Sequence, residues 1–516
     1  MNVVGSTPAR IHETHTGIVT LCGERAFKVK KPIATDFLDF STQELRERAC
    51  ARELELNRRI APDVYLGIAH LVDPTSASSE PVLVMRRMPE DRRLSNLVNE
   101  PAWDSSRLSS LVHMLARFHD DARRGPDIDA EGTPAALRDR WLSLLRPLAD
   151  QSAELVDRSR LARIEHLALR FLEGRAPLFA QRIADGEIVD GHGDLLSQDI
   201  FDLPDGFRVL DCLDFDDRLR FVDRLDDIAF LAMDLEFLGH PDLGAALLAE
   251  YRRTTGDSAP VALTDHFIAY RALVRAKVDL IRHSQGDDTA LDRARRHLAI
   301  TEQHVESAAI RLVLIGGLPG TGKSTAATEL AAATGAVVLS SDHLRRELLA
   351  NHEIAGDAGS FGTGLYSAAS KSHVYRELRA RARALLGSGR SVILDASWTD
   401  ETERRHAREL ADAVSAELIA LECVCPREIA EARIGARHNT DSDATAEIAA
   451  AIAATGTSWP DAVRLDTARP LERTVADAMR AWLLGAQCNT TVSSVRSADA
   501  TTGVDAAPGE IAPAMG

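Results

Sequence analysis

A chain of 516 residues is longer than one hydrophobic core usually organises, so at least two domains are expected. Its 45% hydrophobic and 27% charged residues are those of an ordinary folded protein and exclude a fibrous or largely disordered chain. With 61 basic and 78 acidic residues the formal charge is −17, which repels phosphate backbones and makes nucleic acid a poor partner.

In chain order, Gly17 to Cys22 and Arg25 to Lys31 read as two strands joined by a turn at Gly23-Glu24, a hairpin. Residues 41 to 60 set Leu45, Ala49, Leu54, Leu56 and Ile60 among dense charge, which predicts an amphipathic helix capped by Ser41 or Thr42. Short strands are expected near 63 to 70 and 82 to 88. From 93 to 185 the periodicity is helical, as in LSSLVHMLARFHDDA and RLARIEHLALRFLEG. Strands return between 187 and 215, and helices run from 224 to 305. His12 and His15 lack the acid and helix of a zinc-protease motif and read as ordinary loop residues.

Beyond a boundary near 303 to 309 the pattern becomes strictly alternating. Strands at 310–315, 336–340, 391–396, 417–425 and 462–467 are separated by helices, which predicts an α/β domain built on a parallel five-stranded sheet. Residues 487 to 516 are rich in Ala, Thr, Ser and Gly without apolar periodicity, and a disordered tail is expected there. The expected division is therefore 1–305, 306–486 and a tail.

The six cysteines (Cys22, Cys50, Cys212, Cys423, Cys425, Cys488) are scattered, and Cys423 and Cys425 have neither the spacing nor the companions of a zinc site. Reduced thiols are expected. The start of the chain has no basic stretch followed by an apolar one, and no run of about 18 apolar residues occurs. These features predict a soluble cytoplasmic protein without a membrane segment.

The strongest chemical signal is GLPGTGKST, Gly317-Leu318-Pro319-Gly320-Thr321-Gly322-Lys323-Ser324-Thr325, after the apolar strand RLVLI and before a helix-forming stretch. That context is what a phosphate-binding P-loop requires. Glycines let successive N–H groups turn inward toward phosphate oxygens at a helix N-terminus. Lys323 is then placed to reach the β- and γ-phosphates of ATP, and the Ser324 hydroxyl to hold Mg²⁺. After the second strand, Asp342 and Arg345 share one helical face beside the P-loop. There Asp342 can take the proton of an attacking hydroxyl and Arg345 can hold an anionic group; the alternative is a helix-capping aspartate with a solvated arginine. Asp395 ends the third strand, a place for a carboxylate that serves Mg²⁺ or caps a helix. Arg433 and Arg437 lie one helical turn apart, either a lid over the transferring phosphoryl group or a solvated basic face.

On these residues the segment from about 310 to 485 resembles small P-loop kinases of the gluconate kinase and polynucleotide 5′-kinase type. The resemblance maps the P-loop lysine and serine onto Lys323 and Ser324, the DxxR pair onto Asp342 and Arg345, and lid arginines onto Arg433 or Arg437.

Upstream, DGHGDLLSQDIFDLPDGFRVLDCLDFD places Asp194, Asp199 and Asp211 where strands meet loops. A phosphotransferase needs an acid to accept a hydroxyl proton and further oxygens for Mg²⁺; Asp and Gly also simply build turns. HGDL-x3-D followed by LDCLDFDDRLRFVDRLDDIAFLAMDLE resembles the catalytic loop and metal-binding segment of the aminoglycoside phosphotransferase family, over roughly residues 10 to 300. That resemblance implies an α+β protein-kinase-like fold, with Asp194 as catalytic base and Asp211 as principal Mg²⁺ ligand. In AFKVKKP it implies Lys28, with Lys30 second, as the phosphate-binding lysine, and Glu53 as its partner. Asp199 stands where the family usually has Asn, and the first hairpin lacks a GxGxxG loop. The whole layout resembles bifunctional aminoglycoside phosphotransferase/ATP-binding proteins. It implies an ATP- and Mg²⁺-dependent kinase for a small hydroxylated acceptor, with an ATP-binding regulatory protein or a polynucleotide 5′-kinase as alternatives.

Overall fold

The computed structural model describes all residues except 1–8, 14–15, 35–38, 73–78, 102, 151–156, 356–363, 437–450, 452–453, 455–456 and 499–516. The chain divides into two units, 1–309 and 310–516. No helix among the described residues is long and apolar enough to cross a membrane.

In the first unit, β1 (Arg10–Glu13), β2 (Gly17–Cys22), β3 (Arg25–Lys30), β4 (Tyr65–Val72) and β5 (Ser79–Arg86) form an antiparallel sheet in the order β1-β2-β3-β5-β4. The hairpin turns at Gly23, whose φ of +57° lies in the left-handed region that glycine enters freely. β1 corrects the expectation for His12, which sits on an edge strand opposite Val19 rather than in a loop. All four β1 side chains are exposed, so its sequence carries no buried face to betray a strand. His15 lies outside the described residues.

The helix Gln43–Arg58 begins where Thr42 accepts a hydrogen bond from the Leu45 N–H, a side-chain N-cap. It packs beside the sheet through Leu54, in a core that holds Val64, Tyr65, Leu83 and Met85. The same core takes in Phe201, Leu203 and Leu210, so the sheet and the later loop region are fixed to each other by shared apolar burial. That loop region is framed by two short antiparallel pairs, β6 (Ile188–Asp190) with β9 (Phe221–Asp223), and β7 (Ile200–Leu203) with β8 (Gly206–Val209). The rest of the unit is helical. Its helix Arg224–Phe237 is buried along nearly its whole length, Asp226 and Asp227 included.

In the second unit, β10 (Arg311–Gly316), β11 (Val337–Ser340), β12 (Val392–Asp395), β13 (Glu417–Val424) and β14 (Val463–Asp466) form a sheet ordered β11-β12-β10-β13-β14. Every neighbouring pair is parallel. The expected α+β unit followed by a parallel five-stranded α/β unit is therefore the fold observed. Val313, Ile315, Ile393, Leu421 and Leu465 meet Ala326 and Leu330 of the helix after β10, and Ala478 and Trp482 of the last helix. The central strands are apolar runs because helices cover both faces of a parallel sheet. The last helix, Leu471–Ala498, continues past residue 487, where a disordered tail was expected to begin. Alanine and threonine content lowers apolar periodicity without preventing a helix that starts upstream.

Ile393 is fully buried between neighbouring strands. Ile393→Ala should cost about 2–5 kcal/mol and lower the urea midpoint of the second unit, read by its loss of circular dichroism.

Candidate active sites

The P-loop leaves β10 at its carboxyl end, where ligands bind in open α/β sheets. Gly317, Gly320 and Gly322 all have positive φ, +134°, +84° and +85°. A Cβ at Gly317 would lie 2.4 Å from the Cys423 carbonyl oxygen, and one at Gly320 would lie 2.5 Å from that of Ala430. Glycine is thus required twice over, by torsion and by space. The helix Lys323–Thr334 follows directly. Among the described residues the N–H groups of Gly320, Gly322, Lys323 and Ser324 have no hydrogen-bond acceptor, so four donors remain for an anion at a helix N-terminus.

The side chains converge on the same place. Lys323 Nζ donates to the Leu318 carbonyl at 3.0 Å, inside the loop. The Ser324 hydroxyl donates to Asp395 Oδ2 at 2.6 Å. Asp395 is 4% exposed; burial pushes its carboxyl above the ordinary range, and Lys323 pulls it part of the way back. Asp342 lies in the first turn of the helix Ser341–Ala350, whose N-cap is Ser340, so the capping alternative for Asp342 does not hold. Its Oδ1 accepts from Arg345 Nη1 at 2.5 Å, the pair that the three-residue spacing predicts. Arg433 Nη2 donates to the Thr467 carbonyl at 2.8 Å, and a Cβ on Gly322 would come 3.4 Å from Arg433 Nη1. Arg433 is therefore held against the P-loop by Thr467, whose hydroxyl also donates to the Thr321 carbonyl at 2.7 Å. Arg437 lies outside the described residues.

Sequence reasoning missed Thr467 and Trp398. Trp398, buried with φ of +53°, follows β12, and its backbone N–H donates to Tyr375 Oη at 3.3 Å. A non-glycine residue held in that torsion beside a phosphate loop is the kind of strain that accumulates at working sites. A cavity of about 230 Å³ opens there, lined by Gly317, Leu318, Trp398, Cys423 and Trp459.

In the first unit the two lysines of β3 point the same way because residues two apart share a strand face. Lys28 Nζ lies 2.8 Å from Glu53 Oε1 and 3.0 Å from Asp211 Oδ1. Lys30 Nζ lies 2.9 Å from Glu53 Oε2 and 2.9 Å from Asp214 Oδ2. Glu53 thus binds one lysine with each oxygen, and both expected lysines are its partners. Burial alone would raise the Glu53 carboxyl; Lys28 and Lys30 hold it below the ordinary range. Asp211 is held low chiefly by the Lys28 ammonium. Its backbone, at φ of +65°, occupies the left-handed region that Asp tolerates, and its N–H donates to Tyr65 Oη at 3.1 Å.

The His192-Gly193-Asp194 loop is pinned from beneath. Asp227, fully buried, accepts from the N–H groups of His192 at 2.6 Å and Gly193 at 2.9 Å, and from His119 Nε2 at 3.1 Å. Burial alone would raise its carboxyl, and hydrogen bonding with His119 holds it far below the ordinary range instead. Arg271 pairs with Asp226 at 2.8 Å and donates to the Gly193 carbonyl at 3.0 Å. Arg59 donates to the carbonyls of Asp190 and Gly191 at 2.8 and 2.9 Å, and Asn57 Oδ1 accepts from the Cys212 N–H at 2.9 Å. One helix, Gln43–Arg58, with the residue that follows it, therefore ties the lysine pair to the loop.

Asp194 itself makes no hydrogen bond among the described residues and is half-buried. Burial pushes its carboxyl up to about 6. Asp199 is pushed well above the ordinary range by burial and then by the charges of Asp211 and Asp194. Carboxylates that raise one another favour a divalent cation, and one or two carboxylates completed by phosphate and water oxygens suit Mg²⁺. No cluster of three or more His, Cys, Asp or Glu placed to hold a metal occurs among the described residues. Missed from sequence were Asp214, Asp226, Asp227 and Arg271. Paired acids inside an otherwise apolar helix, as in RLDDIAFLAM, are the signal that could have found Asp226 and Asp227, since a charge buried there needs a partner.

The AAA domain family, AAA_33, matches residues 312–456. The uncharacterized protein Rv2004c of Mycobacterium tuberculosis is 49% identical over 472 residues, which is 92% of this chain and 95% of that protein. Solved structures that resemble parts of the chain include a gluconokinase from Sinorhizobium meliloti, 19% identical, with a TM-score of 0.26, covering 36% of this chain and 97% of that one. Another is the GDP and kanamycin complex of APH(2")-IIia, 16% identical, with a TM-score of 0.39, covering 58% of this chain and 95% of that one. On the full-length match, the chain belongs to the same family as Rv2004c.

Two outcomes are expected in the first unit. Without Mg²⁺ the Asp194 carboxyl should titrate near pH 6 by carbon NMR, and added Mg²⁺ should move that titration to lower pH, because a nearby cation favours the carboxylate. Asp227→Ala should cost about 3–5 kcal/mol in urea denaturation at pH 7 by stripping partners from buried groups. Because the Asp227 carboxyl is held low in the folded chain, its stabilisation is present above pH of about 4 and fades as pH falls below that, so the gap between the two proteins should narrow in acid.

Proposed function

We propose that this member of the family is a cytoplasmic ATP-dependent phosphotransferase with two phosphotransfer modules, each acting on the hydroxyl of a small acceptor. The observation that carries the reading is the convergence of open P-loop N–H groups, Lys323, the Ser324–Asp395 hydrogen bond and the Asp342–Arg345 pair at one end of the second unit's sheet. Free thiols at each cysteine whose side chain is described agree with a reducing compartment.

In the second unit the P-loop N–H groups and Lys323 bind the phosphates of ATP. Asp342 accepts the proton of the acceptor hydroxyl, and Arg345, at hydrogen-bonding distance from it, orients that carboxylate and faces the anionic groups. Arg433, held by Thr467 beside Gly322, is placed to meet charge that builds on the transferring group. Ser324 and Asp395 would hold Mg²⁺, which supplies charge neutralisation for the phosphates. In the first unit Lys28, oriented by Glu53, binds phosphate; Lys30 keeps Glu53 in place; Asp194 accepts the hydroxyl proton; and Asp199 and Asp211 would hold Mg²⁺.

A second reading applies to the first unit alone, that of an ATP-binding regulatory module. It is favoured by Asp199, whose carboxyl burial and the charges of Asp211 and Asp194 push well above the ordinary range, so that it holds its proton and ligates a cation less readily. Lys323→Ala should lower acceptor-dependent ATP consumption by the second module at least about 100-fold, and Asp194→Ala should remove transfer by the first. Equal loss of every activity in both variants would argue against two separate sites. Slow hydrolysis that no hydroxylated acceptor stimulates would favour the regulatory reading.

A further inference from the structure

Within the first unit, the helix Val261–Ser284 carries two arginines one turn apart, Arg271 and Arg275. Arg271 is consumed by structure: it is buried, paired with Asp226, and bonded to the Gly193 carbonyl immediately before Asp194. That bond places this face of the helix against the His192-Gly193-Asp194 loop. Arg275, four residues on, lies on the same face. It is half-buried, yet it makes no hydrogen bond and no ion pair among the described residues.

The neighbouring acids explain why this matters. Asp226 is taken by Arg271, and Asp227 by the loop N–H groups and His119. Asp234 accepts from Ser197 N and Oγ at 2.9 and 2.5 Å. Asp279 is engaged by Arg293 and His297 at 3.0 Å each. Asp194 is the acid without a hydrogen bond, and among charged neighbours Arg275 acts on it most strongly, holding its carboxyl lower than burial alone would. No ion pair closes between them, so each keeps its hydrogen-bonding capacity for a third party. A half-buried guanidinium without a partner carries a desolvation cost that a bound anion relieves, and its fork matches a carboxylate or phosphate.

We propose that Arg275 is an acceptor-binding residue of the first unit, and that this site takes a small hydroxylated acceptor bearing a carboxylate or phosphate, with its hydroxyl at Asp194 and its anionic group on Arg275. The proposal rests on the reading of the first unit as a phosphotransfer module. It sets the site apart from one built for polycations, whose acceptor-facing surface would offer free carboxylates to ammonium groups.

The test uses the full chain carrying Lys323→Ala, so that turnover reports the first unit. Acceptors are compared in charge-matched sets: glycerol, glycerate, glycerol 3-phosphate and ethanolamine; and glucose, gluconate, glucose 6-phosphate and glucosamine. Binding is measured by calorimetry in the presence of a non-hydrolysable ATP analogue and Mg²⁺, and turnover by ADP release. At least one anionic member should bind at least about tenfold tighter than its neutral counterpart. Arg275→Gln should erase that preference by raising KM for the anionic acceptor far more than for its neutral counterpart, and Arg275→Lys should restore part of it. Preference for a neutral or cationic member, an anionic preference that survives Arg275→Gln, or no binding of any anionic member would each overturn the assignment. Anion binding that depends on Arg275 without any turnover would uphold the assignment and instead defeat the phosphotransfer reading of the unit. Thermal melting of both variants separates loss of binding from loss of fold.

Discussion

A carboxylate deep in the first unit decides where the His192-Gly193-Asp194 loop can sit. Asp227 is fully removed from solvent and still charged, because two backbone N–H groups and a histidine ring surround it. An isolated charge at that depth would cost many kcal/mol, so the carboxylate and its donors have to find one another. Once they do, the backbone from His192 to Gly193 is held by both oxygens of one carboxylate. A Cβ at Gly191 would lie 2.7 Å from Asp227 Oδ2, which shows how closely the chain is drawn onto it. Arg271 closes the other side of the loop through the Gly193 carbonyl. Asp194 can then stay unbonded, because its position is set by its neighbours.

The second unit reaches a similar end by other means. Its loop is shaped by the absence of side chains, with glycines wedged against the carbonyls of Cys423 and Ala430. Its charges are arranged around that backbone: Asp395 on Ser324, Lys323 on the Leu318 carbonyl, Arg433 on Thr467. Lys323 and Arg433 are held by carbonyl oxygens, for which a charged phosphate oxygen is the stronger acceptor.

Much of this was legible in the sequence where the physics is local. Alternating apolar runs and helices gave the parallel sheet, and the glycine spacing with its flanking strand and helix gave the phosphate loop. The three-residue interval gave the Asp342–Arg345 pair, and the two-residue interval gave two lysines on one face. What escaped was non-local. Asp214 meets Lys30 across 184 positions of chain, and Asp227 meets His119 across 108. Neither pairing has a signature in any window of sequence. β1 escaped for the opposite reason: an edge strand with every side chain exposed has no buried face to pattern. The last helix ran beyond its expected end because a weak helix former can extend a helix that it could not nucleate.

Glu53 holds Lys28 with one oxygen and Lys30 with the other. A tether duplicated in this way gives the chain latitude during descent. Either lysine can drift to another residue while the remaining one keeps the helix docked to the strand, two positions apart, without any change of fold. Related chains that place this lysine differently would therefore still share one geometry, and alignment of the strand by its lysine alone would misregister them by one pleat.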